Sequence, residues 1–285
     1  MMNGNKIVVV VDSSAYIPES TLEGLDIVVI PLWLIWDEQN YRDSVDIDPP
    51  SFYTRLKESK TLPTTSQPSP GEFLELYKDL ARDRDGIVSV LASSKISGTV
   101  DSAVQAKAEL PDLDIRIVDS FASSMGLGFV ALAAARAAAA GKSIDEVVAA
   151  AEDMREKVGL MFAVGTLEFL HRSGRISTAK RLMGTAFSIK PLLHFQDGMI
   201  VPLSQARTKR KACTELLNCV ATRLGGKQMV EAAVIDIDCP EDGEDLARQV
   251  KERFNPPVIH RATVSPVVGT IVGPGATGVA FYPED

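Results

Sequence analysis

The stretch Lys6-Ile-Val-Val-Val-Val-Asp12, followed by Ser13-Ser14, decides the fold. A β-branched run with no polar alternation reads as a strand buried on both faces, the habit of parallel sheets with helices on either side. Runs of the same kind recur at Ile27–Leu32, Ile87–Leu91 and Ile115–Val118. Between them apolar residues return at helical spacing. Phe73, Leu76, Tyr77 and Leu80 share one face, and Ala103, Ala106, Lys107 and Leu110 trace another. Strand and helix alternate, so the first part of the chain reads as a doubly wound, largely parallel α/β domain. An alanine-rich helix from about Ser123 to Ala140 stops at Gly141, and Ser143 with Glu146 spells a capping box for the next helix.

After Gly159 the rhythm changes. Short apolar runs at Lys190–Phe195 and Met199–Leu203 are joined by Gln196-Asp197-Gly198, a hairpin signal, and an earlier one lies at Leu160–Val164. A helix carrying Cys213, Leu216, Leu217, Val220 and Leu224 follows, then a strand at Val230–Ile237 and a helix at Gly243–Phe254. The last strands are expected near Val258–Ala262, Val267–Val272 and Val279–Tyr282. These elements predict a second, unlike α/β domain with a mixed sheet and helices. The expected division is residues 1–158 and 159–285, and 285 residues suffice for two cores.

Composition narrows the function. A formal charge of -8 argues against a nucleic-acid binder, which needs a basic surface to neutralise phosphates. No apolar run reaches the roughly 18–20 residues that cross a bilayer: Ile27–Trp36 is broken by Pro31, and the stretch after Phe129 carries Arg136. Stable membrane insertion is not expected. The N-terminus enters a strand pattern at once, which reads as a cytoplasmic protein without a signal peptide. Cys213, Cys219 and Cys239 lack C-x-x-C spacing and suit reduced thiols.

Two hydroxyl-rich segments stand out. Thr61-Leu-Pro-Thr-Thr-Ser-Gln-Pro-Ser-Pro-Gly71 lies between helical stretches, and Ser93-Ser-Lys-Ile-Ser-Gly-Thr99 lies where a strand ends and a helix starts. Such clusters serve as turns and helix caps, with Ser66 or Ser69 capping the helix near Pro70. They also suit an anion held by hydroxyls and backbone N–H groups at the carboxyl ends of the strands. Asp12-Ser13-Ser14 and Asp119-Ser120 follow strands on the same sheet edge, and together these loops suggest a crevice. Gly273-Pro-Gly-Ala-Thr-Gly278 spells a dinucleotide fingerprint, but only seven residues follow it and no helix can open there. Those glycines read as a tight turn whose backbone comes close to a ligand or to the other domain. His171, His194 and His260 are scattered away from any metal-ligand spacing, and no Ser-His-Asp set or G-x-S-x-G elbow can be named. Arg175, in Arg172-Ser-Gly-Arg-Ile-Ser177, is either a solvated surface cation or an anion clamp. The basic run Arg207-Thr-Lys-Arg-Lys211 is either an exposed helix start or a docking patch for an acidic partner.

The sequence resembles the DegV family of bacterial fatty acid-binding proteins over nearly its whole length. The resemblance rests on Val10–Pro18, Thr64–Phe73, Ser93–Thr99, Val118–Ser120 with Ser124–Gly128, Phe169-Leu170 with Ser173–Ser177, Ile189–Pro191 and Val272–Gly275. It implies two unlike α/β domains that clasp one long-chain fatty acid at their interface. The acyl chain would run in an apolar tunnel and the carboxylate would meet hydroxyls, here Thr64 or Thr65 and Ser94 or Ser97, with Thr64 and Ser94 favoured. In some members the bound acid is presented to a fatty acid kinase for phospholipid synthesis, which implies roles for Arg175 in the head-group network and for Arg207 in the kinase contact. One departure is visible: where many members carry His before the last glycine turn, this chain has Ile271, beside Thr270. No cofactor or metal is implied.

Burying a methylene contributes about 0.8 kcal/mol, so roughly fourteen of them give about 11 kcal/mol before association costs. Tight binding then needs no reaction, provided hydroxyls or amides replace the water lost by the carboxylate. The sequence therefore reads as a non-enzymatic fatty-acid carrier. An acyl- or phosphotransfer enzyme component and a lipid-sensing interaction module are the alternatives.

Overall fold

The computed structural model describes residues 6–176, 178–179 and 189–285. Ser177, the last residue of one motif quoted above, lies outside them. The first half contains β1 (Ile7–Asp12), β2 (Ile27–Ile30), β3 (Trp33–Trp36), β4 (Gln39–Arg42), α1 (Pro49–Glu58), β5 (Thr64–Ser66), α2 (Pro70–Leu80), β6 (Gly86–Leu91), α3 (Thr99–Ala108), β7 (Ile115–Asp119), α4 (Ser124–Ala139) and α5 (Ile144–Lys157). The second contains β8 (Gly159–Ala163), α6 (Glu168–Arg172), β9 (Lys190–Gln196), β10 (Met199–Ala206), α7 (Lys209–Leu224), β11 (Met229–Ile237), α8 (Pro240–Phe254), β12 (Val258–Ala262), α9 (Pro266–Val272) and β13 (Ala276–Pro283).

The parallel sheet has the order β2-β1-β6-β7. All six residues of β1 are buried because each face has its own helical layer. Ile7, Val9 and Val11 pack with Leu127, Val130 and Ala131 of α4 and Val147 of α5. Val8 and Val10 turn the other way, onto Phe73 and Tyr77 of α2 and Ala103 and Ala106 of α3. The period-2 geometry of a strand thus divides one valine run between two cores. Of the two serines expected to cap α2, Ser69 does so, in a capping box with Glu72, and the expected Ser143–Glu146 box opens α5.

The second sheet has the order β10-β9-β8-β13-β11-β12 and is mixed, with only β11 and β12 parallel. The hairpin joining β9 and β10 turns on Asp197 (φ 50°) and Gly198 (φ 79°), the left-handed pair that a two-residue turn of this kind requires. Along β11, Ala233, Ile235 and Ile237 face an inner core that includes Leu34, Phe52 and Phe162. Ala232 and Val234 face an outer core with α7 and α8.

Two segments depart from the sequence reading. Val267–Val272, expected as a strand, lies within helix α9, because Ser265 caps the Val268 amide and Pro266 presets the first turn. Thr64–Ser66, within an expected loop, is the edge strand of a small antiparallel sheet of order β4-β3-β5. The turn glycine Gly273 (φ 82°) is approached by Phe169: a Cβ there would lie 2.3 Å from that ring. Among the described residues, no helix is long and apolar enough to cross a membrane.

Candidate functional site

Several contacts bring the two halves together at the carboxyl ends of the parallel strands. Ser93 Oγ donates to Gly198 O at 2.8 Å, so the β9–β10 hairpin tip rests on the 93–99 loop. Arg175 Nε donates to Ile96 O at 3.2 Å and its Nη1 to Ser173 O at 2.5 Å. The Gln67 side-chain amide lies against Gly98, where a Cβ would approach it to 2.8 Å. Three polar segments named in the sequence, 64–67, 93–99 and 173–176, therefore converge.

Their hydroxyls differ in placement. β5 pairs with β3 so that Thr65 stands opposite Leu34 and Thr64 opposite Ile35. Paired residues share a sheet face, which puts Thr65 on the side of the fully buried Leu34, whereas Thr64 is exposed. The register favours Thr65 over Thr64 as the inward hydroxyl. Ser94 is exposed and its amide faces the Asp119 carboxylate at 3.3 Å. Ser97 is half-buried, with its hydroxyl 2.8 Å from that of Thr99. Arg207 is exposed just after β10, at the end of that strand remote from the hairpin tip.

The aspartates of the sheet edge are committed to the scaffold. Asp12 accepts from the Ala92 amide at 2.6 Å and from the Ser14 hydroxyl at 2.5 Å, and burial raises its pKa. Asp43 accepts from Ser13 Oγ at 2.6 Å and from the Val267 amide at 3.0 Å, fastening the start of α9 to the first half. Burial outweighs those donors and pushes its carboxyl up to about 6.

Beneath the converging loops lies a narrow slot of about 570 Å³, its open mouth included. Ile96, Ser123 and Ser124 line it from the first half. Leu160, Phe162, Phe195, Ile200, Ile235, Ile237 and Gly278 supply the face of the mixed sheet, and Val264, Val268, Ile271 and Val272 close it from the α9 side. Among its lining residues only Ser123, Ser124 and Thr277 carry polar side chains. Thr64, Thr65, Ser94, Ser97 and Arg175 border the region without lining the slot itself. Ile271, at the position of the departure noted above, presents hydrocarbon to the slot. Sequence reasoning names neither Ser123 nor Ser124 as a ligand-binding candidate, reading them as the start of a helix and Ser124 also as part of a family motif, although both line the slot. Among the described residues no group of His, Cys, Asp or Glu is arranged to hold a metal.

Parallel and mixed sheets joined across a slot walled from both halves define an α/β protein with an internal apolar site. Comparison with known proteins gives the family: the chain belongs to the DegV family, whose model, described as uncharacterised protein of the DegV family, matches residues 6–284. Protein DegV of Bacillus subtilis is 34% identical over 276 residues, 96% of this chain and 98% of that one. A DegV domain-containing protein of Streptomyces coelicolor is 38% identical over 96% of this chain and 97% of its own. Among solved structures, a DegV family protein from Thermus thermophilus, described by its fatty acid binding, superposes with a TM-score of 0.92 at 31% identity, covering 98% of this chain and all of that one. DegV from Bacillus subtilis, described as a fatty acid binding protein, gives 0.89 at 34% identity with the same coverage.

Proposed function

We propose that this protein binds one long-chain fatty acid non-covalently and carries it without transforming it. The observation that carries this reading is the slot, a wall of hydrocarbon with only hydroxyls as polar side chains. Such a lining rewards a methylene chain at about 0.8 kcal/mol per buried group and offers no base to activate a nucleophile. The fatty acid binding described for relatives above 30% identity that cover nearly the whole chain supports it. The carboxylate sits where the three polar segments converge, with Thr65, Ser94, Ser97 and Arg175 supplying donors. In that position it keeps hydrogen bonds while the tail is dry. The protein works in the cytoplasm and presents the acid to a fatty acid kinase. The exposed basic start of α7, from Arg207 to Lys211, suits an acidic docking face, and hydrocarbon at Ile271 leaves the head group fewer donors than an imidazole would give.

Calorimetric titration of delipidated protein with palmitate tests the reading. One site per chain is expected, with Thr65→Val and Ser94→Ala each weakening binding by about tenfold, the worth of one hydrogen bond at roughly 1.4 kcal/mol. Wild-type protein that takes up no fatty acid would overturn the function. Unchanged affinity in both variants would remove those hydroxyls from the head-group site.

A further inference from the structure

The amino end of α4 combines two features that stability alone disfavours. Ser124 is 5% exposed, lines the slot and has φ 49°, a left-handed conformation that costs an L-residue free energy. Its Oγ is also one of two buried side-chain polar atoms with no hydrogen-bond partner among the described residues. A buried hydroxyl without a partner loses its hydration with no return. Glycine would avoid both penalties.

The surroundings indicate what the hydroxyl faces. Ser123, at the N-cap, makes no side-chain capping bond, and the first amides bonded back to it are those of Gly126 and Leu127. The amides of Ser124 and Met125 are therefore the orphan donors that every helix leaves at its first turn, at the positive end of a 16-residue dipole. This end belongs to the polar region described above: the Ser93 amide donates to Ala122 O at 2.9 Å, and Ile96 lines the same slot.

We infer that Ser124, with the amino end of α4, is a carboxylate-binding element on the inner wall of the slot, taking one oxygen of the fatty acid through its hydroxyl. The inference rests on the proposed function and adds a contact on the slot side of the 93–99 loop. An anion at a helix amino terminus is held by amide hydrogens and the dipole without a buried cation. The left-handed turn at Ser124 is the strain that holds the hydroxyl there.

Ser124→Gly tests this, because glycine adopts φ 49° freely and removes only the hydroxymethyl group. In delipidated protein the variant is expected to melt higher than wild type while binding palmitate at least tenfold more weakly. Methyl palmitate, which lacks the charge, should bind both proteins alike, and the carboxyl of bound 1-13C-palmitate should titrate at higher pH in the variant. A purely structural serine would move stability and affinity in the same direction and leave the bound carboxyl's titration unchanged. That result, or equal palmitate affinity, would overturn the assignment. A wild-type protein that binds no palmitate would instead overturn the proposed function, and this inference with it.

Discussion

Glu231→Gln probes how α4 is fastened to the mixed sheet. Glu231 sits on β11, 4% exposed, and accepts from Arg136 of α4 at 2.9 and 3.1 Å and from Tyr282 at 2.6 Å, with His260 Nε2 also at 2.6 Å. Burial alone would raise its pKa, but the His260, Arg136 and Tyr282 hydrogen bonds and the guanidinium charge win and hold the carboxyl at about 2 instead of 4.5. At roughly 1.4 kcal/mol per tenfold in proton affinity, that displacement corresponds to about 3 kcal/mol of folding free energy. Because the pKa is depressed in the folded state, this stability is present above about 4.5 and is lost as pH falls toward about 2. Glutamine cannot carry the charge, and Arg136, partly solvated, keeps water on the face it loses. The variant should therefore be about 2–3 kcal/mol less stable at pH 7 by urea unfolding, with a shallower stability slope between pH 4.5 and 2.5. Because α4 also brings Ser124 to the slot, acid should loosen lipid retention in step with stability. Identical acid slopes in wild type and variant would refute the reasoning.

Asp43 carries the opposite sign. Its carboxyl, raised from 3.8 to about 6 by burial, contributes stability that is complete below 3.8 and is lost as pH rises through about 6, a span of about 3 kcal/mol. Asp43→Asn should flatten thermal stability over that window, and a variant that keeps the wild-type slope would place the effect elsewhere. Ile271→Asp sets a carboxylate on the slot wall at a half-buried position, so the protein should stay folded by circular dichroism while palmitate affinity falls about a hundredfold, the cost of an unpaired charge beside a hydrocarbon chain. Fatty acids shortened methylene by methylene should lose about fourfold in affinity at each step, and a flat series would exclude burial of the chain.

What the sequence made legible was local. The valine run of β1, the Ser143–Glu146 cap and the Asp197-Gly198 turn each carry their cause within a few residues, and each forms as read. Helix α9 did not, since Val267, Val268, Ile271 and Val272 look like a strand until Ser265 and Pro266 are weighed as cap and first turn. β5 is three residues long, too short for any periodicity, and exists because β3 offers it an edge. The slot was illegible for a different reason. Its wall draws on residues 96, 123–124, 160–162, 195–200, 235–237 and 264–278, so no window of sequence contains it. The hydroxyl clusters announced a polar site, but pairing register, not composition, separates Thr65 from Thr64.

The same physics that makes the slot a site also ties it to the fold. Leu160, Phe162, Ile200, Ile235, Ile237, Val264, Val268 and Ala276 line the slot and also belong to the protein's inner core, together with Trp36 and Phe52. An empty apolar space in such a core forfeits dispersion contacts and destabilises by about 24 cal/mol for each Å³ that cannot collapse. A hydrocarbon chain entering it would restore those contacts, so the proposed ligand and the core would draw on the same surface. The contacts Glu231–Arg136, Asp43–Val267 and Ser93–Gly198 fasten the first half of the chain to the second around this space. Sliding such a chain outward would return every methylene to water at a cost that grows with its length.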